Sequence, residues 1–218
     1  MDDALRAELL RRVATDQAAR KALDIDGMRQ ADWDNLPWLR AVIAEHGWPG
    51  TSLVGADGAQ AAWLLAQHAD ADPAFQRQCL DLLTAAVAAG EAAERDLAYL
   101  TDRVLLAEGQ PQVYGTQLTD EGGHYVPRNL RDPDGVNERR AAVGLGPIAE
   151  YLRRHDSDPR PRVFIPCPEC KAWVGVNPPA GGEPFTMTCA GCGAQTTVRI
   201  PVHQGRGRPP GETRPRSG

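Results

Sequence analysis

Two cysteine pairs, Cys167-Pro168-Glu169-Cys170 and Cys189-Ala190-Gly191-Cys192, stand 18 residues apart near the C-terminal end of the chain. No other feature constrains its folding as tightly. Two residues between cysteines let one tight turn aim both sulfurs at a single metal. The intervening segment is long enough to carry the second pair back to the first. Four thiolates close a tetrahedron, which predicts one structural zinc ion per chain and leaves no open position for substrate or water. The competing reading, two redox-active pairs without metal, lacks the βαβ surroundings of a thioredoxin-like motif.

Around the cysteines, 173–176, 185–188 and 196–200 read as short strands, with Asn177-Pro178-Pro179 and Gly181-Gly182 as turns. Residues 163–202 therefore resemble a zinc ribbon. Arg162, Lys171, Trp173, Phe185 and Arg199 give it a basic and aromatic character that suits weak nucleic-acid contact. In so small a unit, aromatics more often supply the core that a metal alone cannot. Structural use or protein docking is the leading expectation for the ribbon.

The first 155 residues read as helices. Leu5, Leu9, Leu10 and Val13 recur at helical spacing within 2–23. A polar joint follows, and Pro37 suits an early position of a second helix that carries Trp38, Val42 and Ile43 and ends near Gly47. A third helix is expected from 57 to about 70. A fourth begins cleanly, with Asp72 as its cap and Pro73 in the first turn. Its buried stripe is Phe75, Cys79, Leu82, Leu83 and Ala86, ending at Gly90. A fifth spans about 91–108. From 110 to 134 the periodicity fails, and turn residues permit at most a short hairpin; such stretches are often functional. Helix returns at about 134–143 and 147–155. The expected fold is mainly α: a multi-helix N-terminal domain (1–155) with a short hairpin or irregular polar loop. A linker (156–162), a small β zinc ribbon (163–202) and a disordered basic tail (203–218) follow.

Three polar strings lie in the helical part: Gln67-His68-Ala69-Asp70, Leu100-Thr101-Asp102-Arg103-Val104, and Tyr114-Gly115-Thr116-Gln117 within a Gln110–Gln117 loop. With Val136–Arg140 and Val143–Leu145 they make the segment from Trp48 to Leu152 similar to an actinobacteria-rich family, domain of unknown function 6624. That resemblance implies a recurring domain and brings no activity with it. The residues must carry the chemistry. A lone imidazole on a partly apolar helix face is as often a bonded core histidine as a catalyst, and Asp102 and Arg103 could be a solvated ion pair. Against that, two amides and a phenol within six residues are costly to bury without partners. His68 with Asp102 is the candidate general acid–base pair, expected to face the Tyr114–Gln117 loop. Gln67, Arg103, Gln112, Tyr114 and Gln117 are candidate ligand contacts, and Arg139 or Arg140 could hold an anionic group.

Charge and missing motifs narrow the function further. The net charge of −5 hides a body at −8, because the tail from His203 carries four arginines against one glutamate. An acidic body excludes broad nucleic-acid affinity; the tail permits weak, salt-sensitive phosphate contact. No secretory signal or membrane-spanning apolar run is present, and metal-held thiolates suit a reducing compartment, so a cytoplasmic location is expected. A G-x-S-x-G elbow, an H-E-x-x-H helix and a phosphate-binding glycine loop are all missing. Cys79 lies on an apolar stripe and reads as packing. The favoured function is a zinc-binding accessory protein whose helical domain has a polar groove for a protein partner or small polar ligand. The alternative is a hydrolase or transferase acting on a small polar substrate, with His68 as acid or base.

Overall fold

The computed structural model describes residues 1–121, 124–156, 163–176 and 183–199. The chain divides into two compact units, one of Met1–Glu121 with Tyr125–Asp158 and one of Gly122–His124 with Pro159–Gly218. The expected turns at 177–179 and 181–182, the linker residues 157–162 and the tail 203–218 lie outside the described residues.

The first unit is built on five helices: α1 (Asp3–Ala22), α2 (Ile25–His46), α3 (Thr51–Gln67), α4 (Pro73–Ala88) and α5 (Glu94–Ala107). The sequence places α3 at the centre, since Ala59, Ala61, Ala62 and Ala66 are all buried and small enough to admit neighbours closely. It packs against α1, α2, α4 and α5. Leu5, Leu9, Leu39, Val54, Leu65, Phe75, Cys79, Leu83, Leu100 and Val104 fill the space between them.

Two boundaries differ from expectation. α2 begins twelve residues before Pro37, because Asp24 caps it by accepting the Gly27 N–H at 3.0 Å. Its inner face is then Ala31, Asn35, Leu39, Val42 and Ile43. Pro37 is tolerated inside the helix because it sits on the exposed side, where water can reach the carbonyl it leaves unbonded. α3 starts earlier than expected, at Thr51, with a break at Gly55 (φ 74°, ψ 166°), and it ends sooner, leaving His68 as its C-terminal cap. The start of α4 is as read: Asp72 accepts the Phe75 N–H at 3.0 Å and Pro73 opens the helix.

After α5 the chain forms the hairpin β1 (Leu118–Glu121) and β2 (His124–Pro127), then α6 (Val136–Ala142) and α7 (Ile148–Asp156). The second unit holds two antiparallel pairs. β3 (Val163–Pro166) pairs with β4 (Trp173–Val176), and β5 (Phe185–Thr188) with β6 (Gln195–Val198). β3 was not foreseen as a strand; it delivers Cys167 to its turn just as β5 delivers Cys189.

Candidate functional site

The four ribbon sulfurs converge. Each strand pair turns through a knuckle with the same backbone bonds. Cys167 N–H donates to Ala172 O at 2.8 Å and Lys171 N–H to Cys167 O at 3.0 Å; Cys189 N–H donates to Ala194 O at 2.9 Å and Gly193 N–H to Cys189 O at 2.8 Å. The fifth residue of each knuckle is left-handed, Lys171 at φ 64° and Gly193 at φ 73°. Cys167 and Cys192 sulfurs lie 3.8 Å apart and those of Cys170 and Cys189 3.6 Å apart. These gaps are far beyond a disulfide bond. They match the edge of a tetrahedron, about 3.8 Å, that metal–sulfur bonds of about 2.3 Å generate. The donor set therefore fits one metal ion, as the cysteine spacing predicts. The amide groups of Cys192 and Gly191 bond toward the Cys189 sulfur and lower its thiol, while at Cys192 the pull of the Ala194 amide is outweighed by the crowding of the other sulfurs, which raises its thiol.

In the helical unit, Asp102 is wholly buried on α5 and organises the loop that follows. It accepts N–H groups from Val113 at 2.7 Å, Tyr114 at 3.0 Å and Thr116 at 2.9 Å, together with the Thr116 hydroxyl at 3.0 Å. Gln112, also wholly buried, donates to Gln117 O at 2.9 Å and to Arg128 O, and accepts the Gln117 N–H at 3.0 Å. Arg139 Nε donates to Val113 O at 2.9 Å; its other nitrogens reach Asp132 and the carbonyls of Arg131 and Asp132. Arg140 is buried, gives Nε to Gly146 O at 2.6 Å and Nη1 to Tyr114 O at 2.8 Å, and lies over the Tyr151 ring. Gly115 allows the close turn at φ 69°, where a Cβ would stand 2.5 Å from Ile148 Cδ1. Asp102, Gln112, Arg139 and Arg140 thus share one network, and its donors and acceptors are spent on the loop backbone.

His68 belongs to a different cluster. Its Nδ1 lies 3.1 Å from Asp16 Oδ2, an ion-pair distance without hydrogen-bond alignment, and not beside Asp102 as the sequence suggested. Asp16 is wholly buried on α1 and also receives Arg20 Nε at 2.8 Å and Gln17 Nε2 at 2.7 Å. Arg20 reaches on to Asp32 of α2 at 2.6 Å. Burial pushes the Asp16 carboxyl up, but His68, Arg20 and Gln17 outweigh it and hold it below the usual range. Burial prevails at Asp32, whose carboxyl is raised against the pull of Arg20 and His68. Asp16 had a legible signal: it falls seven residues after Leu9, on the buried stripe of α1.

One residue from each of the three polar strings lines a groove of about 210 Å³: Asp70, Arg103 and Gln117, joined by Gln76 and Arg128 over Leu106 and Ala107. Arg103 Nη1 bonds Asp70 at 2.6 Å, and Gln76 Nε2 bonds the other Asp70 oxygen at 3.1 Å. Arg103 Nε is enclosed without a hydrogen-bond partner among the described residues. Arg128 is exposed, with no carboxylate partner among them. Gln117 points Nε2 at the Thr116 hydroxyl, 3.1 Å away. Gln67 is buried, its Oε1 without a hydrogen-bond partner among the described residues. Asp70, Gln76 and Arg128 were not among the expected ligand contacts; only Asp70 stood in a motif string.

No helix among the described residues is long and apolar enough to cross a membrane. No curated protein and no solved structure matches the chain. Residues 2–159 match the family described as "Family of unknown function (DUF6624)", and since that match covers well over half of its length, the chain belongs to this family.

Proposed function

We propose that the protein is a zinc-stabilised binding protein whose helical unit takes up a small ligand bearing a carboxylate or phosphate oxyanion. The observation that carries this reading is the groove: two guanidinium groups and two carboxamides face it against one carboxylate. Arg103 neutralises Asp70, so the exposed Arg128, with the Arg103 guanidinium beside it in the lining, is available to acceptors brought by a ligand. The ribbon metal is zinc, a closed four-sulfur site with a structural role and a face for partner docking. Metal-held thiolates suit a reducing compartment, which supports a cytoplasmic location. Titrating the full chain with inorganic phosphate, and in parallel with succinate, should raise its melting temperature saturably. Arg103→Gln should abolish the shift while circular dichroism stays the same. Absence of any shift with both anions, or an undiminished shift in the variant, refutes the groove as an oxyanion site.

A second reading, a hydrolase or transferase with His68 as acid or base, draws on the Asp16–His68–Asp32 cluster. Two carboxyls driven in opposite directions beside an imidazole suit proton transfer. Binding without turnover, unaffected by His68→Gln, separates the first reading from this one.

A further inference from the structure

A second cavity, of about 90 Å³, lies between α3, α4 and the start of α5. Its walls are Ala56, Ala59 and the Trp63 indole of α3, Leu83 of α4, and Ala92 and Ala93 ahead of α5, with Thr51 and Gln60 of α3 as polar neutral members. Into this lining comes Asp96. Its side chain is 8% exposed, and no hydrogen bond reaches it among the described residues. Oδ1 is fully enclosed. The nearest cation, Arg95 Nε, stands 3.7 Å away, outside hydrogen-bond reach, on a largely exposed side chain. The residues lining the cavity from α3 and α4 include no ionisable group.

The position makes this costly arrangement stand out. Asp96 is in the first turn of α5, where a carboxylate ordinarily turns outward to the helix N-terminal amides and water. α5 has Ala93 as its cap and no side-chain capping bond, so those amides would welcome Asp96. The carboxylate instead lines the cavity with no donor bonded to it among the described residues, although Thr51, Gln60 and the Trp63 N–H share the lining, and a charge placed so is expensive. Burial raises its pKa to about 6, yet most of it stays ionised at neutral pH. Water can solvate it there but brings no opposite charge.

We propose that this cavity binds a small organic cation, a protonated primary amine on a short apolar body, with the ammonium donating to Asp96. The apolar body then lies against Leu83, the alanines and the Trp63 ring. This site is separate from the oxyanion groove in residues and in the sign of its ligand, so the two stand or fall independently.

The test uses the full chain with propylammonium chloride as probe and 1-propanol, of the same shape and neutral, as control. Isothermal titration at pH 7.5 should give saturable binding of the amine and at least tenfold weaker binding of the alcohol. Lowering the pH through about 6 should weaken amine binding as Asp96 takes up its proton. Asp96→Asn, nearly the same size, should abolish binding; Ala93→Leu, at an exposed position on the lining, should block it without touching the carboxyl. Arg103→Gln should leave it unchanged. Equal affinity for alcohol and amine, retained binding in Asp96→Asn, or no binding of either probe (a cavity that holds only water) would each overturn the proposal.

Discussion

Asp102 takes two hydrogen bonds from a single residue, the Thr116 N–H at 2.9 Å and the Thr116 hydroxyl at 3.0 Å. With Val113 and Tyr114 also bonded, one buried carboxylate satisfies three backbone amides of a loop that has no strand ladder to use. Asp102→Ala would strand those amides away from water. At roughly 1–3 kcal/mol for each of the three unsatisfied amides, the loss should total about 3–9 kcal/mol. Urea unfolding measures it. A loss below about 1 kcal/mol would mean that the loop re-solvates freely and that Asp102 does not organise it.

Asp16 gives a prediction on the acid side. Its carboxyl ionises more readily in the folded chain than at its ordinary value of 3.8. The unfolded chain therefore binds the proton first as pH falls, and the stabilisation that Asp16 contributes disappears below about pH 4. Asp16→Asn should lower stability at pH 7 and flatten the acid limb of the stability curve. Parallel acid limbs in the two proteins would count against the His68–Asp16 pairing.

Asp96 has the opposite sign. Its folded value of about 6 lies above its ordinary 3.8, so between those values the native chain holds a proton that the unfolded chain has released. Stability should fall as pH rises through this window. Asp96→Asn, which cannot ionise, should remove that slope and gain up to about 2–3 kcal/mol at pH 7. Guanidinium melts at pH 4.5 and 7 decide it. An unchanged slope would place the carboxyl in water.

The sequence disclosed whatever is local. The Asp72-Pro73 start of α4, the Gly90 and Gly109 stops and the cysteine tetrad each depend on a few adjacent residues, and each is found. Pro37 misled as a helix start, because only the buried inner face from Ala31 to Ile43 shows that α2 is already formed before it. The pairing of polar groups was illegible because it is tertiary. His68 meets a carboxylate 52 positions earlier in the chain, and Arg103 meets Asp70 across 33. Each string supplies one residue to the groove, but no spacing reveals that Asp70, Arg103 and Gln117 share it while Asp102 turns to the loop backbone.

Asp72 and the groove should be separable. The Asp72 carboxylate caps α4 and pairs with Arg40, so backbone bonding from Phe75 chiefly holds it below its ordinary range. Asp72→Ala should lower the melting temperature by a few degrees and leave phosphate binding in the groove intact. A variant with normal melting but no phosphate binding would transfer Asp72 from helix start to binding site.

The ribbon should not stand without a metal in its cysteine tetrad. Among the ribbon residues whose burial is described, Cys167, Val176, Met187 and Cys189 are buried, and two of those are metal donors. A unit of about 40 residues rarely buries enough to offset the entropy of ordering its strands, whereas metal binding by four thiolates typically supplies on the order of 10–16 kcal/mol. The helical unit has its own core of 18 buried residues, none of them from the ribbon. Purified protein should carry one zinc per chain by elemental analysis, and Cys170→Ser should lose most of it. Strong chelation should erase the dispersed amide signals of 163–199 in NMR spectra while helical circular dichroism is almost unchanged. A chain ending after Asp158 should still unfold in one cooperative step. Loss of helical signal on chelation, or aggregation of the shortened chain, would show that the helical unit depends on the metal and that the two units do not fold independently.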